Sequence, residues 1–217
     1  PQVAGNPNIN LHIITLDGLR GLDVNTHNPM LADKRTRQAF SYAIDRQAVI
    51  NTVMLGYGKP ADSPFNPIVT AYEPLNPYSY DPEKAKALLA EVGWMPGADG
   101  VLVAEKVEGV PAGTRFAIEI MNSGSPSDQA TATVVQSYLT AIGVDVTQRI
   151  VDFATYTEEN LGKDPKNYDI GVRGGAFFGA NAGTYGTFFA AGDYQSTRGG
   201  YFNQEVQDLF DKAKTMP

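Results

Sequence analysis

The sequence predicts an α/β fold with a mainly parallel sheet flanked by helices. Three observations carry this reading. Over residues 115–173 the segments alternate strand, helix, strand, helix, strand, the signature of βαβ units. Phe116, Ile118 and Ile120 alternate with Ala117, Glu119 and Met121, the period-two pattern of a strand buried more deeply on one face. Acidic or amide residues stand immediately before several apolar-periodic runs, where helix caps belong.

Taken in order, Ile9 to Leu16 alternate partly and read as a strand, and Leu22 to Val24 as a second short one. Asp33 caps a helix whose stripe is Ala39, Phe40, Ala43 and Ile44. Asp45 caps the next, with Val49, Ile50, Val53 and Met54, ending near Gly56. Residues 57–80 are proline-rich and read as an extended loop. Asp81-Pro82-Glu83 starts a helix: Asp81 caps, Pro82 has no amide to leave unpaired, and Glu83 suits the positive end of the dipole. Gly93 stops it, and Val101 to Val107 form one arm of a hairpin.

The loop Asn122 to Ser127 leads into a helix with an inner face of Ala130, Val134, Val135, Tyr138, Leu139 and Ile142. A strand follows from Val144 to Val151. Asp152 then caps a helix through Tyr156 to Leu161, and Tyr168 to Val172 is a strand. Residues 173–200 read as a Gly- and aromatic-rich loop with a short helix around Tyr185 to Ala190, and Asn203 caps a final helix.

Composition narrows the function classes. The chain has 217 residues, 42% hydrophobic and 19% charged, a globular balance, and its formal net charge of −7 disfavours nucleic-acid binding. With no cysteine, thiol catalysis, thiolate zinc sites and disulfides are excluded. No apolar run approaches the length of a membrane span. The polar start at Pro1 lacks a signal-peptide pattern, so the chain is expected to be cytoplasmic or trimmed.

Chemistry-bearing motifs are sparse. His12 and His27 lie at no metal-ligand spacing. Gly56-Tyr57-Gly58-Lys59 follows a helix rather than a strand, so it is a turn and not a phosphate loop. Gly124-Ser125 lacks the frame of a nucleophile elbow. No carboxylate pair is singled out for glycoside chemistry; Asp33, Asp45, Asp81 and Asp152 all fall at helix starts. The most unusual stretch is Arg173 to Phe189. Its glycines permit close backbone approach and its aromatics offer flat apolar surface, a mix that suits either a binding cleft or a packed loop. Open α/β sheets bind ligands beyond the carboxyl ends of their strands, here Met121 to Ser127, Val151 to Phe153 and Arg173 to Asn181.

Several stretches together resemble the solute-binding proteins of ABC importers, family 5, the peptide/nickel-binding group. They are Pro29 to Arg46, Gly56 to Pro64, Tyr80 to Trp94, Tyr138 through Val144, and Tyr168-Asp169-Ile170, in the family's order. The resemblance implies one lobe of a type II periplasmic-binding-protein-like fold. Residues 1–217 would be a single C-terminal-side lobe of a larger two-lobed protein, with 1–28 as the inter-lobe crossing segment. It also implies a periplasmic or extracellular, often lipid-anchored protein that is not an enzyme and needs no cofactor or metal. Its partners would be a peptide-like or oligosaccharide-like ligand, the missing first lobe and a membrane permease. The competing readings are an α/β-cleft hydrolase and a ligand sensor on the same fold.

By fold position the expected ligand-binding residues are Asn25, Asn122, Ser123, Gly124, Gly175, Phe177, Phe178 and Asn181. Amides and hydroxyl would hydrogen-bond the solute, glycine amides would approach it, and the Phe rings would stack. Peptide-binding members of the family carry an aspartate for the peptide α-ammonium after the Tyr-Asp strand; here that position falls near Phe178. No acidic residue lies between Asp169 and Asp193. An ammonium buried without a counter-charge is strongly unfavourable, so an uncharged ligand is expected.

Overall fold

The computed structural model describes residues 6, 8–10, 12, 18–61, 63, 78–161, 167–177 and 198–215. The elements run β1 (Gly18–Val24), α1 (Pro29–Ala32), α2 (Lys34–Ala43), α3 (Arg46–Val53), α4 (Pro82–Val92), β2 (Trp94–Pro96), β3 (Leu102–Ala104), β4 (Ala117–Asn122), α5 (Pro126–Ala141), β5 (Asp145–Ile150), α6 (Phe153–Leu161), β6 (Ile170–Phe177), a 3-10 turn (Arg198–Gly200) and α7 (Gln204–Thr215).

The main sheet has the order β1-β6-β4-β5. β4 is parallel to both β5 and β6, while β1 closes the far edge antiparallel to β6, with a bulge between Leu19 and Gly21. Strand β4 is covered on both sides. Ile118 and Ile120 join the large core with Ala132, Val135 and Leu139 of α5. Met121 packs with Tyr156 of α6 and Tyr168 in a smaller cluster. Trp94 and Phe116, both fully buried, tie the β2–β3 hairpin to the same large core.

The caps read from the sequence form as expected. Asp33, Asp45 and Asp81 accept from the amides of Arg35, Ala48 and Lys84, and Gly93 ends α4 in the left-handed conformation at φ 110. Asp152 accepts from Ala154 and Thr155 at the start of α6, and Asn203 from Val206 at the start of α7.

Other expectations need correction. The strand expected over Leu22 to Val24 begins at Gly18, because pairing with β6 continues past the glycines. Residues 173–177, expected in a loop, extend β6; the antiparallel ladder to β1 supplies partners that local propensity did not predict. Helix α1 was not expected: Asn28 caps it, and the Arg37 guanidinium donates to the carbonyls of Leu31 and Ala32. Of the inner face expected for α5, Val135, Leu139 and Ile142 are buried, while Ala130, Val134 and Tyr138 are half-buried and Asp128, Thr131 and Ala132 are buried instead. The helix expected near Tyr185 to Ala190 and nearly all of the Ile9 to Leu16 strand lie outside the described residues, as does most of 57–80.

Three caps and clamps set a pH limit. A hydrogen bond from the Arg35 side chain holds the Asp33 carboxyl below its usual range, the Arg115 side chain does so for Asp99, and the Thr155 amide for Asp152. A carboxyl depressed by folding stabilises the native state above its unfolded pKa and loses that contribution as pH falls through the folded value. The melting temperature is therefore expected to hold down to about pH 4 and to fall below it. The Asp33→Asn/Asp99→Asn/Asp152→Asn variant should lose much of this dependence; an unchanged acid limb would refute the assignment.

Candidate functional site

The carboxyl ends of β4 and β5 and the long C-terminal half of β6 form one rim of the sheet. β4 pairs β6 only through Ile120 with Ile170 and Met121 with Gly171, so β6 runs on well beyond the end of β4. At this rim lie Asn122 to Ser125, Ile150 to Phe153, Gly174 and Gly175.

Asn122 is fully buried, and its Oδ1 accepts from the Gly124 amide at 3.1 Å. Gly124 takes φ 76, and a Cβ there would stand 3.2 Å from Ile150 Cγ2. Only glycine suits that turn at no steric cost. Gln129 Nε2 donates to the Gly124 carbonyl at 2.6 Å. Ser123 Oγ donates to Asp128 Oδ2 at 2.5 Å. The residues expected to contact solute at this turn thus first build the turn itself.

Asn25 is not brought to this rim. It follows β1 at the opposite end of β6, with Val24 paired to Ile170 while Gly18 pairs with Phe177. That separation is roughly 23 Å at about 3.3 Å per residue. Its side chain donates to the Tyr168 carbonyl at 2.9 Å and accepts from the His27 amide at 3.0 Å, fixing the turn into α1. Gly175 and Phe177 lie on the distal half of β6, beside the start of β1. Phe178 and Asn181 fall outside the described residues.

Asn25, His27, Asn28, Glu119, Asn167, Tyr168 and Asp169 line a shallow, open depression of about 490 Å³ at the amino-terminal ends of the parallel strands. Asp169 there accepts from Asn28 at 2.7 Å and from the Glu119 amide at 2.9 Å. Glu119 itself accepts from Arg149 at 2.5 Å. These carboxylates are already engaged in joining β4, β5, α1 and β6.

Four residues of the rim are absent from the expected ligand contacts, although Phe153 falls in the strand-end stretch 151–153 named from the sequence. Ile150 is 57% exposed and Phe153 73% exposed, large apolar side chains standing in solvent beside the Gly124 turn. Arg20 of β1 donates to Asp128 Oδ1 at 2.5 Å and to Ser127 Oγ at 3.1 Å. Asp128 is buried, in the first turn of α5. Phe153 carries a local signal, an apolar residue one past a cap within that stretch, whereas the Arg20–Asp128 pairing joins residues 108 apart and has none. Among the described residues no group of three or more His, Cys, Asp or Glu converges as a metal site, and no helix is long and apolar enough to cross a membrane.

Residues 1–196 match the family described as bacterial extracellular solute-binding proteins, family 5 Middle. The chain belongs to this family. It is 31% identical over 151 residues to the oligopeptide-binding protein AppA of Bacillus subtilis, covering 67% of this chain and 26% of that protein. To heme-binding protein A of Haemophilus influenzae it is 31% identical over 144 residues, 63% of this chain and 24% of that one. The structure of B. subtilis AppA in complex with a nonapeptide superposes with a TM-score of 0.77 at 26% identity, covering 93% of this chain and 40% of that one. NikZ of Campylobacter jejuni, in complex with Ni(L-His), shares the fold at a TM-score of 0.81 and 21% identity, covering 100% of this chain and 42% of that one. The chain thus spans about a quarter of the length of these curated relatives, and its α/β architecture is that of one lobe of a periplasmic binding protein.

Proposed function

We propose that this chain is one wall of a solute-capturing cleft in the binding component of an ABC importer. It takes a small solute between its strand-end rim and a second lobe, and the closed protein delivers that solute to a membrane permease. The observation that carries this is the open rim itself. Ile150 and Phe153 stand exposed at the end of β5, and Arg20 and Ser127 bring polar groups to the same rim, on a chain that spans about a quarter of its relatives. Such mixed apolar and polar surface is what a ligand wall requires.

In this reading residues 1–217 are a single lobe. The crossing segment expected over 1–28 is shortened to the part before Gly18, since β1 is already paired into the sheet. Gly124, Gly175, Phe177, Phe178 and Asn181 remain proposed solute contacts. Asn122 and Ser123 hold the turn, and Asn25 is set aside because it lies at the far end of β6. Closure is a hinge rotation of the two lobes about the crossing segments. In this reading the protein works outside the cytoplasm as a carrier that leaves its solute unchanged, and the Ser123–Asp128 bond serves to hold the turn.

The test uses the two-lobed full-length protein purified without denaturation. Native mass spectrometry is expected to show a non-covalent solute that is lost on unfolding and refolding. Small-angle scattering should show the refolded protein contracting when the solute is returned. A protein that carries no solute and never changes its radius of gyration would overturn the reading. Phe153→Ala should weaken capture about tenfold without moving the melting temperature, because the ring contributes little to folding when 73% exposed; unchanged affinity would remove Phe153 from the wall.

A further inference from the structure

The rim carries its charges already cancelled, and this bears on what it can hold. Arg20 donates to Asp128 at 2.5 Å and Ser127 at 3.1 Å, and Asp128 also takes the Ser123 hydroxyl at 2.5 Å. On the opposite face of the same two strands Arg173 lies 3.7 Å from Asp23. Asp152, the remaining carboxylate at the rim among the described residues, is occupied by the Ala154 and Thr155 amides and the Thr155 hydroxyl.

The two members of the Arg20–Asp128 pair differ in access. The Asp128 side chain is 8% exposed and the Arg20 side chain 23%. A guanidinium has five N–H donors in a fixed fork, and Arg20 engages only some of them in these two bonds. A solute therefore meets donors and not the carboxylate. The neighbouring strand residue is Gly174, which is exposed; a Cβ there would sit 3.0 Å from Asp128 Oδ1 and 3.6 Å from Arg20 Nη2. Any larger residue would crowd the pair.

We propose that Arg20 is the polar anchor of this wall and donates to an oxygen acceptor of an uncharged solute. Asp128 is a positioning residue that fixes the fork and cancels its charge. The inference rests on the solute-binding reading above and narrows it to a class. The shared chemistry is an uncharged carbonyl, hydroxyl or ether oxygen, which a capped peptide or an oligosaccharide supplies. A free carboxylate would gain less, because the neighbouring Asp128 offsets the attraction. A free ammonium would face donors alone.

The experiment is titration calorimetry on the full-length two-lobed protein with four probes: acetyl-trialanine-amide, maltotriose, zwitterionic trialanine and succinyl-trialanine-amide, which carries one carboxylate. One of the two uncharged probes is expected to bind best, and which one identifies the source of the oxygen. Arg20→Met should weaken it at least tenfold, and Arg20→Lys should not restore it, since an ammonium lacks the fork. Asp128→Asn should shift preference toward the succinyl probe about tenfold, because it leaves the guanidinium uncancelled. Ser127→Ala, which disturbs no buried charge, should weaken binding a few-fold with an unchanged melting temperature and guards against misfolding of the other variants. Best binding by trialanine or the succinyl probe, or an uncharged probe indifferent to Arg20→Met, Arg20→Lys and Ser127→Ala, would overturn the anchor while leaving solute capture intact. Failure of all four probes, with no contraction in scattering, would overturn both.

Discussion

Replacing Phe116 by alanine is expected to lower stability by about 4 kcal/mol, the upper part of the range for removing a buried aromatic ring. Phe116 is fully buried just before β4. Its ring stacks on Trp94 with centroids 3.9 Å apart and planes at 9°, and lies 6.0 Å from Phe40 at 23°. One side chain thus joins the β2–β3 hairpin, α2 and the central strand, and its removal leaves a cavity among three elements that cannot all collapse inward. The backbone ties survive the substitution, since Phe116 donates to Leu102 at 2.8 Å and accepts from Asp145 at 2.9 Å through main-chain atoms. Urea unfolding with an unchanged m-value would report the loss. Trp94→Phe should be far milder, within about 1.5 kcal/mol, because the indole nitrogen is buried with no hydrogen-bond partner in the structure and nothing is orphaned by losing it. If the two variants cost the same, the stacked-ring account is wrong.

What was legible in the sequence follows from how local each signal is. Caps at Asp33, Asp45, Asp81 and Asp152 were readable because a cap is a contact between residues two or three apart. Phe116, Ile118 and Ile120 were readable because a half-buried strand repeats every second residue. The extension of β6 through Phe177 was not, because glycines at 174 and 175 look like a loop until β1 is laid beside them. Buried Asp128 was not expected either; a carboxylate inside α5 makes sense only once Arg20, in contact across the fold, is known. The candidate site divides on the same line. The ends of β4 and β5 were located to within a residue from the βαβ order, but β6 runs five residues past the expected end at Val172, and Asn25, named by fold position, lies at the other end of β6.

Gly93 joins a local signal to a distant constraint, and its replacement by valine is expected to cost roughly 3 kcal/mol or more, from left-handed strain of about 1–2 kcal/mol plus overpacking of about 1–3 kcal/mol. The local part is the helix stop: Gly93 has φ 110 and donates to Leu89 at 3.2 Å and Ala90 at 3.0 Å. The distant part is the hairpin. The Gly93 carbonyl accepts from Glu105 at 2.9 Å, and a Cβ would stand 2.8 Å from the Lys106 carbonyl carbon and 3.1 Å from its Cα and N. Those are backbone atoms, which cannot rotate away as a side chain does. The hairpin would have to lift, and with it Trp94 from its place against Phe116. Gly100→Ala supplies the comparison: φ is +86 there, but a Cβ meets nothing within 4 Å. It should cost only the left-handed strain, about 1–2 kcal/mol. A Gly93→Val variant no less stable than Gly100→Ala would mean that the hairpin yields freely, and the rigid seating of Trp94 on the core would have to be abandoned.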